Sequence, residues 1–213
     1  PGQLGLWTVQ SIAHGADTVV YFRWRTCTVG TEQYWHGILP HSGKPGRRYA
    51  EIKETIADMV PILRQSRGAG QGAEAAILFS YEQNWALEIQ PHHPDLDYIR
   101  HLLTFYTALA KENVPVDIVS AEADLSRYKL VIAPLQYLMT EERETRFADY
   151  VHSGGRLVLT MRTGVKDEHN RCRSDRELPG ALGDLLGIEI LDYDCLRAGP
   201  VPVVFGGDRK SVV

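Results

Sequence analysis

The chain has 213 residues, of which 44% are hydrophobic and 23% are charged, and its formal net charge is −4 at pH 7. This length suits one ordinary domain with an additional segment, and the apolar fraction is typical of a globular protein. Because the net charge is slightly negative and Lys and Arg do not cluster, we expect neither nucleic acid nor a membrane surface as a partner. No apolar run in the sequence has the length of a membrane span.

The three cysteines, Cys27, Cys172 and Cys195, are scattered without a CxxC pair or the spacing of metal ligands. An odd and sparse set of thiols is typical of a reducing compartment and not of a disulfide framework. We therefore expect a cytoplasmic protein without a metal or other cofactor. Neither end of the chain has the composition of a native terminus, so we expect a piece of a longer protein.

The first third of the chain predicts a helix, a strand and a second helix. Residues 3–14 place apolar side chains roughly on one face, and Gly15 can end that helix. Residues 18–22 are β-branched and aromatic, as in a buried strand. Apolar residues recur at helical spacing over 49–64, and the Gly-rich stretch 68–72 marks the expected domain boundary.

Polar and aromatic side chains cluster where the predicted strand ends. Arg23-Trp24-Arg25 follows the strand directly, and the next loop reads Glu32-Gln33-Tyr34-Trp35-His36-Gly37. A strand of an α/β barrel brings binding groups to the open end of the barrel in this way. Only one complete strand-and-helix unit fits here, so we expect residues 1–67 to be one part of an incomplete barrel.

The remaining residues, 73–213, alternate between apolar strands and segments of helical periodicity. The predicted strands cover residues 75–80, 116–119, 130–133, 156–160 and 188–191, and the predicted helices cover residues 96–112, 141–151 and 182–186. Thr140 is the expected N-cap of the middle helix, and Asp95 the expected cap of the first. Alternation of strands and helices with short connections predicts a doubly wound parallel sheet.

Several strings of this sequence resemble family 42 β-galactosidases, in the family's order and over essentially the whole chain. They are Pro1-Gly2-Gln3-Leu4 with Trp7, His14-Gly15-Ala16-Asp17, Tyr21-Phe22-Arg23-Trp24-Arg25, Glu32-Gln33-Tyr34-Trp35-His36-Gly37, and Thr160-Met161-Arg162-Thr163-Gly164-Val165-Lys166-Asp167-Glu168-His169-Asn170. The resemblance implies the last helix-strand-helix of a (β/α)8 barrel. A flavodoxin-like α/β domain, similar to class I glutamine amidotransferases, would follow it. In the family this second domain mediates trimer formation, so a homotrimer and a β-galactoside substrate are implied.

The resemblance also implies that the catalytic groups lie outside this chain. Family members hydrolyse terminal β-D-galactosides with retention, which requires two carboxyl groups about 5–5.5 Å apart. Both catalytic glutamates of the family, and the zinc-binding cysteines of some members, belong to earlier parts of the barrel. We therefore expect no catalytic residue and no metal site in this chain, and we expect the isolated chain to be inactive.

The galactose-binding residues implied by the resemblance are Glu32 and His36, whose side chains can hydrogen-bond sugar hydroxyls. Gln33 is an alternative to Glu32, because the family motif varies in length between its Glu and its His. Trp24 or Trp35 can stack on the apolar face of a sugar, or can pack beneath the barrel rim instead.

Three residues beside these candidates have structural interpretations. Phe22 is expected to pack in the core. Arg23 and Arg25 are expected to pair with carboxylates, because a guanidinium at a buried rim requires a partner.

The sequence has two alternative interpretations besides part of a β-galactosidase. A glutamine amidotransferase requires a Cys nucleophile on a tight strand-to-helix turn, whereas Cys172 and Cys195 lie in polar surroundings and the predicted strand ends carry no Cys. A non-catalytic assembly or sugar-binding module is the second alternative. In a trimer the candidate contact segments are residues 162–173, whose cations require carboxylates across the contact, and the predicted loop 82–93 with an exposed Trp85.

Overall fold

The computed structural model describes residues 1–66, 72–174, 176–193, 202–205 and 208–211. The chain divides into two compact units, Pro1–Gln71 and Gly72–Val213.

The first unit is built on two helices that pack against each other, α1 (Gln3–Ala13) and α2 (Arg47–Ser66). Glu51 of α2 accepts hydrogen bonds from the backbone N–H groups of Leu4 and Gly5, at 2.9 and 3.4 Å. These contacts satisfy amides that the start of a helix leaves unpaired. Burial opposes ionisation of Glu51, but the N–H donors hold the pKa of this carboxyl below its usual value.

The strand predicted over residues 18–22 is absent, and this prediction is wrong. Val20 is 84% exposed and Phe22 is 72% exposed, so Phe22 does not pack in a core either. In the described part of this unit, the pairing is limited to one isolated parallel bridge between Arg25 and Leu39. A parallel strand is held by hydrogen bonds to neighbouring strands. Because the described residues of the unit supply no such neighbour, the apolar run stays unpaired.

A close backbone crossing connects the segment at residues 23–26 to the loop that ends at Leu39. The N–H of Thr26 donates to the carbonyl of Leu39 at 3.0 Å, and the Thr26 hydroxyl donates to the same carbonyl at 2.9 Å. The N–H of Gly37 donates to that hydroxyl at 3.0 Å. A Cβ on Gly37 would lie 2.7 Å from backbone atoms of Arg23, Arg25 and Thr26, so the crossing requires glycine.

The second unit contains a four-stranded parallel sheet of order β2-β1-β3-β4. The strands are β1 (Ala75–Leu78), β2 (Val116–Val119), β3 (Leu130–Ala133) and β4 (Arg156–Leu159). The helices are α3 (Tyr81–Ile89), α4 (Tyr98–Lys111), α5 (Glu141–His152) and α6 (Leu182–Leu186). An antiparallel pair follows, β5 (Pro202–Phe205) and β6 (Asp208–Ser211). The predicted α/β fold with a parallel sheet is confirmed.

Apolar side chains leave the sheet on both faces, because successive residues of a strand point to opposite sides. On one face Leu78 belongs to a buried cluster with Phe147 of α5 and Leu182 of α6. On the other face Ile77 is buried with Leu102 of α4. Helices therefore cover both faces of the sheet.

Two helix starts differ from the prediction. The predicted loop 82–93 contains α3, because the hydroxyl of Ser80 accepts a hydrogen bond from the N–H of Gln83 and caps a new helix. The next helix begins at Tyr98, because Asp97 and not Asp95 is its N-cap, accepting from the N–H of Arg100 at 2.7 Å. The predicted N-cap at Thr140 is confirmed.

The strand predicted over residues 188–191 is also absent. Only Ile190 pairs, through a single antiparallel bridge to Leu178. Ile188 is 52% exposed and Leu191 is 83% exposed, so this apolar segment lies on the surface. A short apolar segment of this kind predicts a buried strand. Among the described residues the segment has no neighbouring strand to pair with over its length, and it remains largely exposed.

One ion pair of the second unit is almost fully buried. Glu144 on α5 contacts Arg173, and only 3% and 7% of these side chains are exposed. Arg176 adds a second guanidinium, with its Nη1 3.5 Å from the other oxygen of Glu144. Removing one partner from such a pair leaves an uncompensated charge in a medium that solvates it poorly.

We predict that Glu144→Gln lowers the free energy of unfolding by about 3–5 kcal/mol, because Arg173 then stays buried without a counter-charge. Chemical unfolding followed by circular dichroism measures this change. Glu142→Gln is the control, since Glu142 is exposed on the same helix. A loss below about 1 kcal/mol for Glu144→Gln would contradict the prediction.

We further predict that Gly37→Ala destabilises the first unit by about 1–3 kcal/mol, because the added methyl group overlaps backbone atoms. Gly46→Ala is the matched control, since a Cβ there meets no atom within 4 Å. Thermal unfolding compares the two variants. Equal melting temperatures would show that the crossing at Gly37 tolerates a side chain.

Candidate functional site

The loop of the first unit holds Glu32 through an ion pair. The Nη1 atom of Arg23 lies 2.7 Å from Oε2 of Glu32, and the two side chains are 29% and 51% exposed. Arg23 thus has the carboxylate partner that was expected of it. The pairing orients one oxygen of Glu32, and the exposed part of the carboxylate can accept further hydrogen bonds from a ligand.

Gln33 and His41 brace the same loop. The side-chain amide of Gln33 donates to the carbonyl of Gly30 at 2.8 Å. The Nε2 atom of His41 lies 3.0 Å from the backbone oxygen of Gln33. The bond to Gly30 uses one of the two N–H donors of the Gln33 amide, so Gln33 and Glu32 both keep polar groups that a ligand can contact.

The two candidate tryptophans are both more than half exposed. Trp24 is 62% exposed and stands edge-on to Tyr49, with ring centroids 6.2 Å apart, and Trp35 is 65% exposed. Trp35 closes a turn by donating its N–H to the carbonyl of Glu32 at 3.1 Å. His36 follows on the same loop and is exposed. Both tryptophan rings therefore present exposed aromatic surface, and Trp35 lies in the same turn as Glu32.

Arg25 does not have the carboxylate partner that was expected. Within the described ranges it forms no ion pair, and its side chain is exposed. Water solvates an exposed guanidinium, so no partner is required.

In the second unit, the ends of β3 and β4 carry unusual backbone. Leu135 and Arg162 have positive φ values of 42° and 64°, which are uncommon for residues with a Cβ. Leu135 is fully buried, and an alkyl side chain cannot act as a nucleophile. Cys172 is exposed and pairs through its backbone with Lys166, while Cys195 lies outside the described residues. The strand end thus offers no thiol for amidotransferase chemistry.

The expectation that the cations of residues 162–173 require partners across a subunit contact is wrong for Arg173. This guanidinium is buried against Glu144 of its own unit. Arg173 and Glu144 are 29 residues apart in the sequence, so a motif of neighbouring residues does not reveal this pair. Trp85 agrees with its prediction, since it is 54% exposed and stacks on Tyr81 with ring centroids 5.7 Å apart.

The part of the chain that the structure describes has neither a metal-binding cluster nor a membrane-spanning helix. Within it, no three His, Cys, Asp or Glu side chains converge as they would around a metal ion. None of its helices combines the length and the hydropathy that crossing a bilayer requires.

Comparison with known proteins places both units in one family. The family model described as "Beta-galactosidase trimerisation domain" matches residues 73–210, and the model described as "Beta-galactosidase" matches residues 1–62. The β-galactosidase BgaH of Haloferax lucentense is 43% identical over 195 residues, which are 92% of this chain and 28% of the relative.

Solved structures agree with the sequence comparison. The β-galactosidase of the Antarctic haloarchaeon Halorubrum lacusprofundi superposes with a TM-score of 0.83 at 39% identity, over 94% of this chain and 30% of that one. The β-galactosidase of Bacillus circulans sp. alkalophilus gives a TM-score of 0.85 at 31% identity, over 98% of this chain and 31% of that one. The chain thus spans less than a third of the length of these proteins. It belongs to glycoside hydrolase family 42, the β-galactosidases, and its second unit is a member of their trimerisation-domain family.

Proposed function

We propose that this chain works as part of a longer retaining β-galactosidase that hydrolyses terminal β-D-galactosides. The observation that carries the proposal is the match of 43% identity over 92% of the chain to a relative named β-galactosidase. Residues 1–67 would complete the C-terminal part of the catalytic barrel, and residues 73–213 would form the trimerisation domain. The cytoplasm is the proposed location, which the free thiols of Cys27 and Cys172 support.

For the second unit we propose a flavodoxin-like fold of the kind found in class I glutamine amidotransferases. The strand order β2-β1-β3-β4 supports it, because flavodoxin-like sheets have the order 2-1-3-4-5. In this proposal Leu135 occupies the turn after β3 where an amidotransferase carries its nucleophile, so the domain has kept the scaffold without the chemistry.

For the first unit we propose that Glu32 and His36 bind hydroxyl groups of the galactose. Arg23, at 2.7 Å, fixes the direction of the Glu32 carboxylate. A carboxylate held in this way accepts hydrogen bonds from two sugar hydroxyls, and these bonds can strengthen as the sugar ring distorts toward the transition state. Trp24 or Trp35 would provide the stacking surface. Gln33 would contribute at the edge of the site.

In the intact enzyme, we predict that Glu32→Ala lowers kcat/KM for an aryl β-galactoside about tenfold to a hundredfold, the scale of one charge-assisted hydrogen bond. His36→Ala should have a similar or smaller effect. Glu54→Ala is the control, because Glu54 is an exposed carboxylate on α2.

Unchanged kinetics in both the Glu32 and the His36 variant would remove this loop from the galactose subsite. Absence of any hydrolysis by the intact protein that carries this chain would instead favour the alternative, a non-catalytic assembly or sugar-binding module.

For assembly we propose a homotrimer in which the exposed aromatic side of α3 contacts a neighbouring subunit. Tyr81, Trp85 and Ile89 are 62%, 54% and 74% exposed, and the first two rings stack on each other. A cyclic trimer joins two different surfaces of each subunit, so a single patch can be one half of such a contact. Exposed aromatic residues are typical of interface centres.

We predict that the intact protein is a trimer at micromolar concentration and that Trp85→Glu shifts it towards monomers, because the variant would bury a charge in the contact. Light scattering measures the mass. Leu103→Glu is the control, since Leu103 is a partly exposed apolar residue of α4. A monomeric wild type would contradict the proposed assembly, and a trimer insensitive to Trp85→Glu would move the contact away from α3.

A further inference from the structure

Two cations that follow the carboxyl end of β4 form no ion pair with a carboxylate of the described residues. Lys166 is only 5% exposed, and Arg162 is half-buried. By contrast, the buried Arg173 forms an ion pair with Glu144.

The backbone around Lys166 is held in place by the loops that follow β3 and β4. Its N–H donates to the carbonyl of Tyr137 at 3.0 Å, and its carbonyl accepts from the N–H of Met139 at 2.9 Å. Its Nζ atom lies 5.2 Å from the centroid of the Tyr137 ring. The ammonium group is thus confined near the sheet edge.

Arg162 is oriented by aromatic and imidazole side chains. Its Nη2 atom donates to Nδ1 of His92 at 2.6 Å, and its guanidinium lies 4.1 Å from the ring centroid of Tyr193. With Nδ1 accepting, a neutral His92 carries its proton on Nε2, which lies 2.8 Å from the hydroxyl of Tyr137. The Nε atom of Arg162 is buried and has no hydrogen-bond partner in the part of the chain described here.

His92 does not offset the positive charge. Burial is the largest cause that lowers the pKa of His92, and the charges of Arg162 and Lys166 lower it further. The imidazole is therefore neutral near pH 7, where it accepts from Arg162 and adds no third cation. The cluster keeps two positive charges, which both lie within 6 Å of the centroid of the Tyr137 ring.

The cluster lies where an open parallel sheet forms a crevice for ligands. In the order β2-β1-β3-β4 the chain leaves β1 toward one side and β3 toward the other, so the switch point falls between β1 and β3. His92 comes from the connection after β1, Tyr137 from the loop after β3, and Arg162 and Lys166 from the segment after β4.

We propose that this cluster binds an oxyanion, a carboxylate or a phosphate, between Arg162 and Lys166. A buried unpaired cation is costly, and an anion removes that cost. The guanidinium fork matches carboxylate and phosphate oxygens, and the buried Nε–H of Arg162 has no partner among the described residues. The anion comes either from solution or from a carboxylate side chain of a second subunit. This site does not depend on the hydrolysis of galactosides.

The first arm of the test measures thermal unfolding of the intact protein in phosphate or citrate against chloride at equal ionic strength. For a free anion at 100 times its Kd, the melting temperature should rise by about 5 °C or more. Lys166→Met and Arg162→Gln should abolish the rise. Arg171→Gln, which removes an exposed cation of the same segment, should keep it. If either variant fails to fold, Arg162→Lys, which keeps the charge and loses the fork, should show a weaker rise.

The second arm measures mass by light scattering. A carboxylate from a second subunit predicts no response to added anions, together with dissociation of the oligomer in Lys166→Met and Arg162→Gln but not in Arg171→Gln. The proposal is overturned if wild type responds equally to phosphate, citrate and chloride while the oligomer is unaffected by Lys166→Met and Arg162→Gln.

Discussion

The hydrogen bonding of β1 to β3 is the constraint on which the second unit depends. Their register places Ile77 opposite Ile132 at the centre of the sheet, where both residues are buried. Because parallel strands align their carboxyl ends, this pairing also brings the loops that follow them to one edge. The first unit shows the opposite case. Its apolar run before Arg23 pairs with no strand in the described residues, and the same kind of sequence stays largely exposed there.

The parts of the fold that could be predicted are those in which local pattern and tertiary context agree. The four paired strands follow from short apolar runs, and the helix after Thr140 follows from its cap. The helix α3 was missed although Ser80 and Gln83 have the spacing of a capping box, S-x-x-Q, which was the signal available. Residues 18–22 and 188–191 were predicted as strands, and this prediction is wrong. A high β-propensity means that a segment fits a half-buried sheet surface, but it forms a strand only where the fold provides such a surface.

The candidate sites differ in how far sequence could reach them. Glu32 was recognisable from its motif, but its ion pair with Arg23 and the crossing at Gly37 depend on backbone geometry. The cation cluster could not be predicted from sequence, because its members are far apart along the chain. Arg162 and His92 are separated by 70 residues, and His92 and Tyr137 by 45. No local pattern reports such contacts. The positive φ of Arg162 directs its side chain in a way that a sequence does not record.

The cation environments at Arg173 and at Arg162 with Lys166 follow from the same electrostatics. At Arg173 the fold supplies Glu144, and the cost of removing both charges from water is offset inside the unit. At Arg162 and Lys166 the described residues supply aromatic faces and a neutral imidazole. These groups attract a cation weakly, but they do not neutralise its charge. The same unit thus contains the ion pair of Arg173 with Glu144 and a cation cluster that lacks a counter-charge among the described residues. In our proposal an anion from outside the unit provides the counter-charge, and this would distinguish a binding position from a purely structural ion pair.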